Sequence, residues 1–452
     1  MPESPADNLV SQIWDRPFTA PASVPAAADV VIIGGGIVGI STAWFLSKQG
    51  VSVVVCEKGH IAGEQSSRNW GWVRQQGRDV RELPMMIESM QIWRGLADEI
   101  GEDVGFTQAG CLFTAEDEKQ LAGFIEWLPI AEEYELDTTV LSRLELRGQV
   151  RGAAMDWPGA MYTASDGRAE PQKATPAIAR AAERNGASIL SACAVRGIET
   201  EAGRVSAVVT EHGSIRTSTV LCAAGAWSSM FCRSLGISLP QLQIRGTAAR
   251  TVPGPDVLNG TLFDERIGIR RRQDGGYTVA HGSVLDHAIT PATFRYCFKF
   301  LPALRQEINV LRLRIGQDFV DEWRNPKTWP LDAPSPFEAA RVLNPEPNKS
   351  IVKEIRHNLG TVFPELDGIQ IVESWAGMVE TTPDVVPIID APDSIPGFNI
   401  ATGFSGHGFG IGPGAGKAVA ALLTGNDPGL DLQPLRLSRF FDGSPIRPQK
   451  LV

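Results

Sequence analysis

The run Asp29-Val30-Val31-Ile32-Ile33-Gly34-Gly35-Gly36-Ile37-Val38-Gly39 constrains this chain more than any other part of it. Its apolar, β-branched first half reads as a buried strand. Residues 37–49 then carry helical spacing, with Ala43 and Leu46 on one face, and Gly50 ends the helix. Val51-Ser52-Val53-Val54-Val55 reads as the next strand and closes at Glu57, which completes a β-α-β unit. In a G-x-G-x-x-G turn of this kind Gly34 permits the sharp reversal, Gly36 lets the backbone approach a pyrophosphate, and Gly39 lets the helix pack on the strand. The N–H groups of the first helical residues, Ile37 and Val38, and the positive end of the helix dipole favour the anion. Glu57, about twenty residues on, is placed to accept from a ribose 2′-OH. The motif alone is a weak signal, and its context between two strands gives it weight.

With 452 residues, 43% of them hydrophobic and 21% charged, the chain has material for about two to three domains. A net charge of -10 argues against a nucleic-acid partner, which needs a basic surface. The six cysteines, Cys56, Cys111, Cys193, Cys222, Cys232 and Cys297, show neither a C-x-x-C pair nor zinc-like spacing, so reduced thiols and no metal are expected. The N-terminus lacks the charge and apolar stretch of a secretory signal, which points to the cytoplasm. Val30 to Leu46 is the most apolar run, but four glycines with Ser41 and Thr42 interrupt it, and strand, turn and helix explain it better than a membrane span.

Along the chain, 83–96, 116–128 and 171–185 read as helices, and 204–209 with 218–221 as a hairpin around His212-Gly213. Residues 290–350 have the aromatic, Pro-bearing look of an insertion. The C-terminal quarter returns to glycine at Gly403-Phe404-Ser405-Gly406-His407-Gly408-Phe409-Gly410, leading into Pro413 at a first helical turn.

Two segments favour FAD over NAD. Residues 63–74 follow the acidic strand end directly and offer Gln65, Ser66, Ser67, Gly71 and arginines, which suits a segment running under phosphates and along a flavin. Val220 to Ser228, with Ala224, Gly225 and Trp227, reads as a strand ending in small residues against a dinucleotide. Each segment taken alone is equally compatible with a glycine-containing loop.

Gly34 to Glu57 with Lys58, the Ala224-Gly225-Ala226-Trp227 segment, Ala376 to Asp384 and Gly403 to Gly410 together resemble the D-amino-acid oxidase superfamily of FAD enzymes. Residues 57–68, 194–200, 274–277, 299–302 and 335–338 are similar to bacterial L-amino-acid deaminases, so the resemblance spans nearly the whole chain. It implies hydride transfer from an amine-bearing carbon to flavin N5, giving an imine that hydrolyses to a keto acid or aldehyde, with the cofactor carrying the chemistry. No acid–base pair is obligatory if the amine arrives neutral. The helix after Gly403, Gly406 and Gly408 is expected to stabilise negative charge on the flavin, His407 either bonds the flavin or fills the turn, and the adenine lies near Val195. Gly377 stands at the cysteine position of the sarcosine oxidases and no histidine follows Ser66, so the FAD is expected to be non-covalent.

The substrate site departs from the deaminases. The Gln and Arg that hold the substrate carboxylate there are replaced by Trp72 and Gly282. Arg74 is a candidate replacement, since guanidinium binds carboxylate bidentately, and is equally readable as a surface or phosphate-binding arginine. His281 is a candidate for facing substrate or for a structural role, and Trp375 is expected to form an aromatic wall over the flavin. Trp70, Trp72 and Trp375 suit an apolar or flat substrate portion, or plain core packing. Within the insertion, Phe294 to Leu301 alternates with period two, which predicts a half-buried strand in preference to the peripheral membrane contact, at 290–305, that the resemblance allows.

The expected architecture is α/β (α+β): a Rossmann-like FAD-binding domain of the glutathione-reductase type from 28–90, 160–245 and 355–430, interleaved with a substrate domain on an antiparallel sheet from 91–159 and 246–354. Residues 1–27 form an arm and 431–452 a tail. The expected partners are an amine or amino-acid substrate and oxygen or a quinone as acceptor. The alternatives are a secondary-amine oxidase or dehydrogenase acting on N-alkyl amino acids or opines, and a flavin-binding assembly protein without turnover.

Overall fold

The computed structural model describes residues 20–448, so most of the expected arm, 1–19, lies outside the described residues. The strand Val30–Ile33 is buried at every position, as an apolar strand covered on both faces must be. It pairs in parallel with Val53–Cys56 on one side and Thr219–Cys222 on the other. Phe398–Thr402 and Ser188–Leu190 extend the same parallel sheet, and Ile388–Asp390 adds an antiparallel edge, giving six strands. The glycine turn leads into the helix Ile37–Lys48, as its spacing predicts.

That helix packs against Gly408–Leu423 at backbone range. A Cβ on Gly412 would stand 2.8 Å from Ile37 Cγ2, and one on Gly416 would stand 2.5 Å from the Ser41 side chain. Larger residues would separate the two helices and open the turn at their ends. Leu83–Ile100 and Pro171–Arg184 cover the same face of the sheet, and both helices stand where the sequence predicts them, as does Glu118–Glu133.

A second, ten-stranded, mostly antiparallel sheet is built from segments between Cys111 and Thr381. Its spine is Leu242–Thr251 paired with Ile371–Thr381, in a register that sets Gly246 opposite Gly377 and Gln243 opposite Glu380. Helix Lys349–Val362 buries Ile351, Ile355, Leu359 and Val362, one helical stripe, against this sheet. The fold is therefore mixed α/β with a parallel nucleotide-binding layer and an antiparallel layer. Among the described residues no helix is long and apolar enough to cross a membrane.

Three local expectations are corrected. The hairpin partner of Arg204–Thr210 is Gly213–Arg216, while Thr219–Cys222 belongs to the parallel sheet, where long-range pairing with Val30–Ile33 overrides the local turn. Phe294 to Leu301 is helical, within Pro291–Arg295 and Cys297–Glu307, with Thr290 closing a capping box. Its period-two aromatics sort as i,i+4 pairs: Tyr296 and Phe300 turn inward, while Phe294 and Phe298 are 64% and 88% exposed. Pro413 lies inside Gly408–Leu423, beyond its first turn.

Candidate active site

The two sheets meet around one cavity of about 320 Å³ that reaches from the glycine turn to the antiparallel layer. Gly34, Gly36, Ile37 and Val38 line it at the start of the helix. Gly34 has φ +112°, and a Cβ there would stand 2.4 Å from the Ala223 carbonyl oxygen, so the two strand ends are closed on each other through a residue with no side chain. Gly39 is off the cavity, against the Gly34 carbonyl, where it joins helix to strand. The Ser66 hydroxyl accepts from the Ile37 N–H at 2.9 Å, which sets the 63–74 segment across the helix N-terminus. Gln65 also lines the cavity, whereas Ser67 is buried behind it and bonds the Glu64 carbonyl. Gly71 and Gly403 likewise sit off the cavity as turns with φ +80° and +73°.

Glu57 lines the cavity with one oxygen accepting from the Gly35 N–H at 2.8 Å and the other from the Gly59 N–H at 2.7 Å. Burial pushes its carboxyl up, against the pull of Lys58 and those two N–H groups. Lys58 donates to Glu64 and to the carbonyls of Ala340 and Arg341, and its ammonium stands 4.4 Å from the Trp227 ring centroid. Glu64 also accepts from the Trp227 indole and the Leu343 N–H, which knots three distant segments together at the cavity edge. Sequence reasoning missed that role, which no local pattern announces. Val195, Ala224, Gly225 and Trp227 line the same region, as do Gly377, Gly406, His407 and Gly408.

A second group of lining residues is aromatic and basic. Trp70 and Trp72 meet edge to face at 5.4 Å, and Phe113, off the cavity, backs Trp72 at 6.3 Å. Arg74 is buried, donates to the Gln76 carbonyl and stacks its guanidinium 4.9 Å from the Phe113 centroid, so it is not a surface residue. Arg78, four residues on and equally buried, also lines the cavity. Its Nε donates to the Arg74 carbonyl, it stands 3.6 Å from Glu82, and its Nη1 has no hydrogen-bond partner among the described residues. Burial, and then the like charge of Arg74, lowers the Arg78 guanidinium to about 9, which leaves it charged at neutral pH. The Trp72 indole N–H is a second buried donor without a hydrogen-bond partner among the described residues. The R-x-x-x-R spacing of Arg74 and Arg78 was the available signal for Arg78.

His407 precedes the helix Gly408–Leu423, with Nδ1 2.8 Å from the wholly buried Glu82. Burial lowers the imidazole to about 4, with Arg78 adding to the effect, so the ring is neutral at neutral pH. Burial acts to raise Glu82, but His407, Arg78 and Arg74 together hold it below the ordinary carboxylate value. His281 lines the cavity from the other side, 3.5 Å from Glu354, and burial lowers it as well. A Cβ at Gly282 would stand 2.0 Å from the Asp264 carbonyl, so this position has no room for an arginine. Trp375 is absent from the lining: it packs with Ala248, Ala280 and Trp70 and donates to the Arg68 carbonyl, behind the wall. The lining carboxyls are Glu57 and Glu64, beside the glycine turn, and Glu380, on Ile371–Thr381 next to Gln65 and Phe404.

A model of the DAO family, described as FAD dependent oxidoreductase, matches residues 29–422. The solved L-amino acid deaminase from Proteus myxofaciens, in complex with anthranilate, is 35% identical with a TM-score of 0.90, over 94% of this chain and 97% of that one. The L-amino acid deaminase from Proteus vulgaris is 31% identical with a TM-score of 0.89, over 94% and 100%. The mitochondrial sarcosine dehydrogenase of Mus musculus is 26% identical over 426 residues, 92% of this chain but 42% of that protein, so the chain spans less than half the length of this relative. The glycine oxidase of Pseudomonas putida is 25% identical over 90% of this chain and 97% of its own. The glycine cradle, with no side chain at Gly34, Gly36 or Gly225 to fill it, fits the cofactor of this family, FAD. The chain belongs to the DAO family of FAD dependent oxidoreductases.

Proposed function

We propose that this chain oxidises an amine that carries a carboxylate, an amino acid or N-alkyl amino acid, with Arg74 and Arg78 as the carboxylate anchor. The observation that carries this reading is a pair of buried donors, Arg78 Nη1 and Trp72 Nε1, that have no hydrogen-bond acceptor among the described residues, Nη1 standing 3.6 Å from Glu82 behind the cavity wall. Such donors gain most from an anionic acceptor. When bound, FAD would supply two-electron oxidation of the amine to an imine, which water hydrolyses to a keto acid or aldehyde with release of ammonia or an amine.

The protein's part is binding and orientation. Gly34, Gly36 and the Val38 N–H would hold the pyrophosphate, with Ser66 fixed across the helix start by the Ile37 N–H, while Glu57 would hold the ribose and Val195 the adenine side. The N-terminus of Gly408–Leu423 gives the cavity a positive end. Trp70 and Trp72 cover the apolar part of the substrate and exclude water. Glu82, the carboxylate beside Arg78, is engaged by His407 and does not line the cavity, so no lining carboxylate there takes a proton from the amine, which enters neutral. The FAD is held non-covalently, so acid precipitation releases it.

A secondary amine is the second reading: no arginine side chain enters the cavity from Gly282, which leaves the space lined by Trp72 and His281 for an N-substituent. Oxygen or a quinone receives the electrons. We also propose peripheral membrane contact through 290–305, supported by exposed Phe294 and Phe298 beside Arg295, Lys299 and Arg305.

Anaerobic mixing with L-, D- and N-alkyl amino acids tests the reading: a substrate bleaches the yellow flavin. A flavin that dithionite reduces but no carboxylate-bearing amine bleaches would refute it.

A further inference from the structure

One lining carboxyl is used by neither the glycine turn nor the proposed substrate anchor. Glu380 is 4% exposed and stands near the end of Ile371–Thr381, opposite Gln243. Its Oε2 is buried without a hydrogen-bond partner among the described residues. Buried polar atoms are nearly always partnered, so an orphan on a cavity wall points to a ligand atom. The Gln65 side chain and the N–H groups of Phe404 and of Glu380 itself approach the carboxyl, which fixes it between the 63–74 segment and the glycine loop at 403–408.

We propose that Glu380 is a cofactor-positioning residue whose unpartnered oxygen donates a hydrogen bond to an oxygen atom of bound FAD. Burial pushes the carboxyl up to about 7, against the pull of the Phe404 and Gln65 donors, and Glu64, a like charge, adds to the rise. The titratable groups on the elements packed here are the charged Glu64 and Arg68 around Gln65, the charged Arg245 on the paired strand, and the neutral His407 beyond Phe404. The diphosphate of FAD is a further negative charge in the same cavity, and it favours the neutral acid. A neutral acid is a donor, whereas a carboxylate can only accept and would be repelled.

The role depends on the family's cofactor and not on the substrate, so it stands or falls apart from the proposed reaction. The test is the rate of FAD release from diluted holoenzyme, followed by flavin fluorescence from pH 6 to pH 8.5. Release from the wild type accelerates about tenfold as the pH rises above about 7, the bound FAD holding the acid neutral to a higher pH than in its absence, and the tenfold is the size of one lost hydrogen bond. Glu380→Gln keeps a donor at every pH and releases FAD slowly, with no pH step. Glu380→Leu releases it fast throughout; should that variant not fold, the glutamine variant against wild type decides. A step that persists in Glu380→Gln, a flat wild-type profile, or release that slows as the pH rises would overturn the proposal.

Discussion

Replacing Gly34 by alanine tests whether the turn is closed by geometry rather than by composition. Two costs are worked from the structure. At φ +112° a Cβ is strained by about 1–3 kcal/mol. At 2.4 Å from the Ala223 oxygen it also forces two backbones apart, which overpacking data put at about 1–3 kcal/mol more. Gly50 supplies the control: it has φ +76° and nothing within 4 Å of an added Cβ, so Gly50→Ala pays the strain alone. Thermal midpoints at a matched scan rate and the flavin-to-protein absorbance ratio are the readouts. Gly34→Ala is expected to melt below Gly50→Ala and to purify with less FAD, since the displaced strand end carries the pyrophosphate turn. Equal midpoints with full flavin in both would refute the reasoning.

Arg270 and Glu170 form a buried, two-pronged ion pair at 2.9 and 3.1 Å, and Arg270→Met strands the carboxylate at a cost of about 3–5 kcal/mol, read as a lowered unfolding midpoint. Burial opposes the ionised form of Glu170, yet Arg270 holds its carboxyl down at about 2. A depressed carboxyl contributes stability above its unfolded value near 4.3 and loses it as the pH falls to about 2, here about 3 kcal/mol, so acid titration of the wild type shows a loss in that window that Arg270→Met lacks. Phe298→Glu is expected to abolish co-sedimentation with anionic vesicles while leaving flavin content intact; binding unchanged by the substitution removes the membrane contact.

The β-α-β unit was legible because strand, glycine turn and acidic strand end lie within thirty residues and each needs a particular residue type. The helices at 83–100 and 171–184 were legible from periodicity. What failed depended on distance or on ambiguous spacing. Thr219–Cys222 was assigned to a hairpin because its true partner, Val30–Ile33, is remote in sequence. The aromatics of 294–300 have spacing of two, which is also spacing of four taken on two faces, and only the packed neighbours of Tyr296 and Phe300 distinguish helix from strand. At the site, Trp72, Arg74 and His281 do reach the cavity, while Trp375 supports it from behind. Arg78, Glu82 and His407 interact through contacts between the 74–82 segment and the start of a helix far along the chain, and no local pattern carries such contacts.

The most direct test of the carboxylate anchor is stopped-flow flavin reduction with a matched pair of amines, one bearing the carboxylate and one with it replaced by a neutral carboxamide, in the wild type and in Arg78→Met. A charge-assisted hydrogen bond of about 1.5–3 kcal/mol predicts that Arg78→Met lowers reduction efficiency by roughly 10- to 150-fold for the acid. For the amide, which has no charge to lose, the substitution is expected to change little. An equal loss with both substrates, or none with either, would contradict the account.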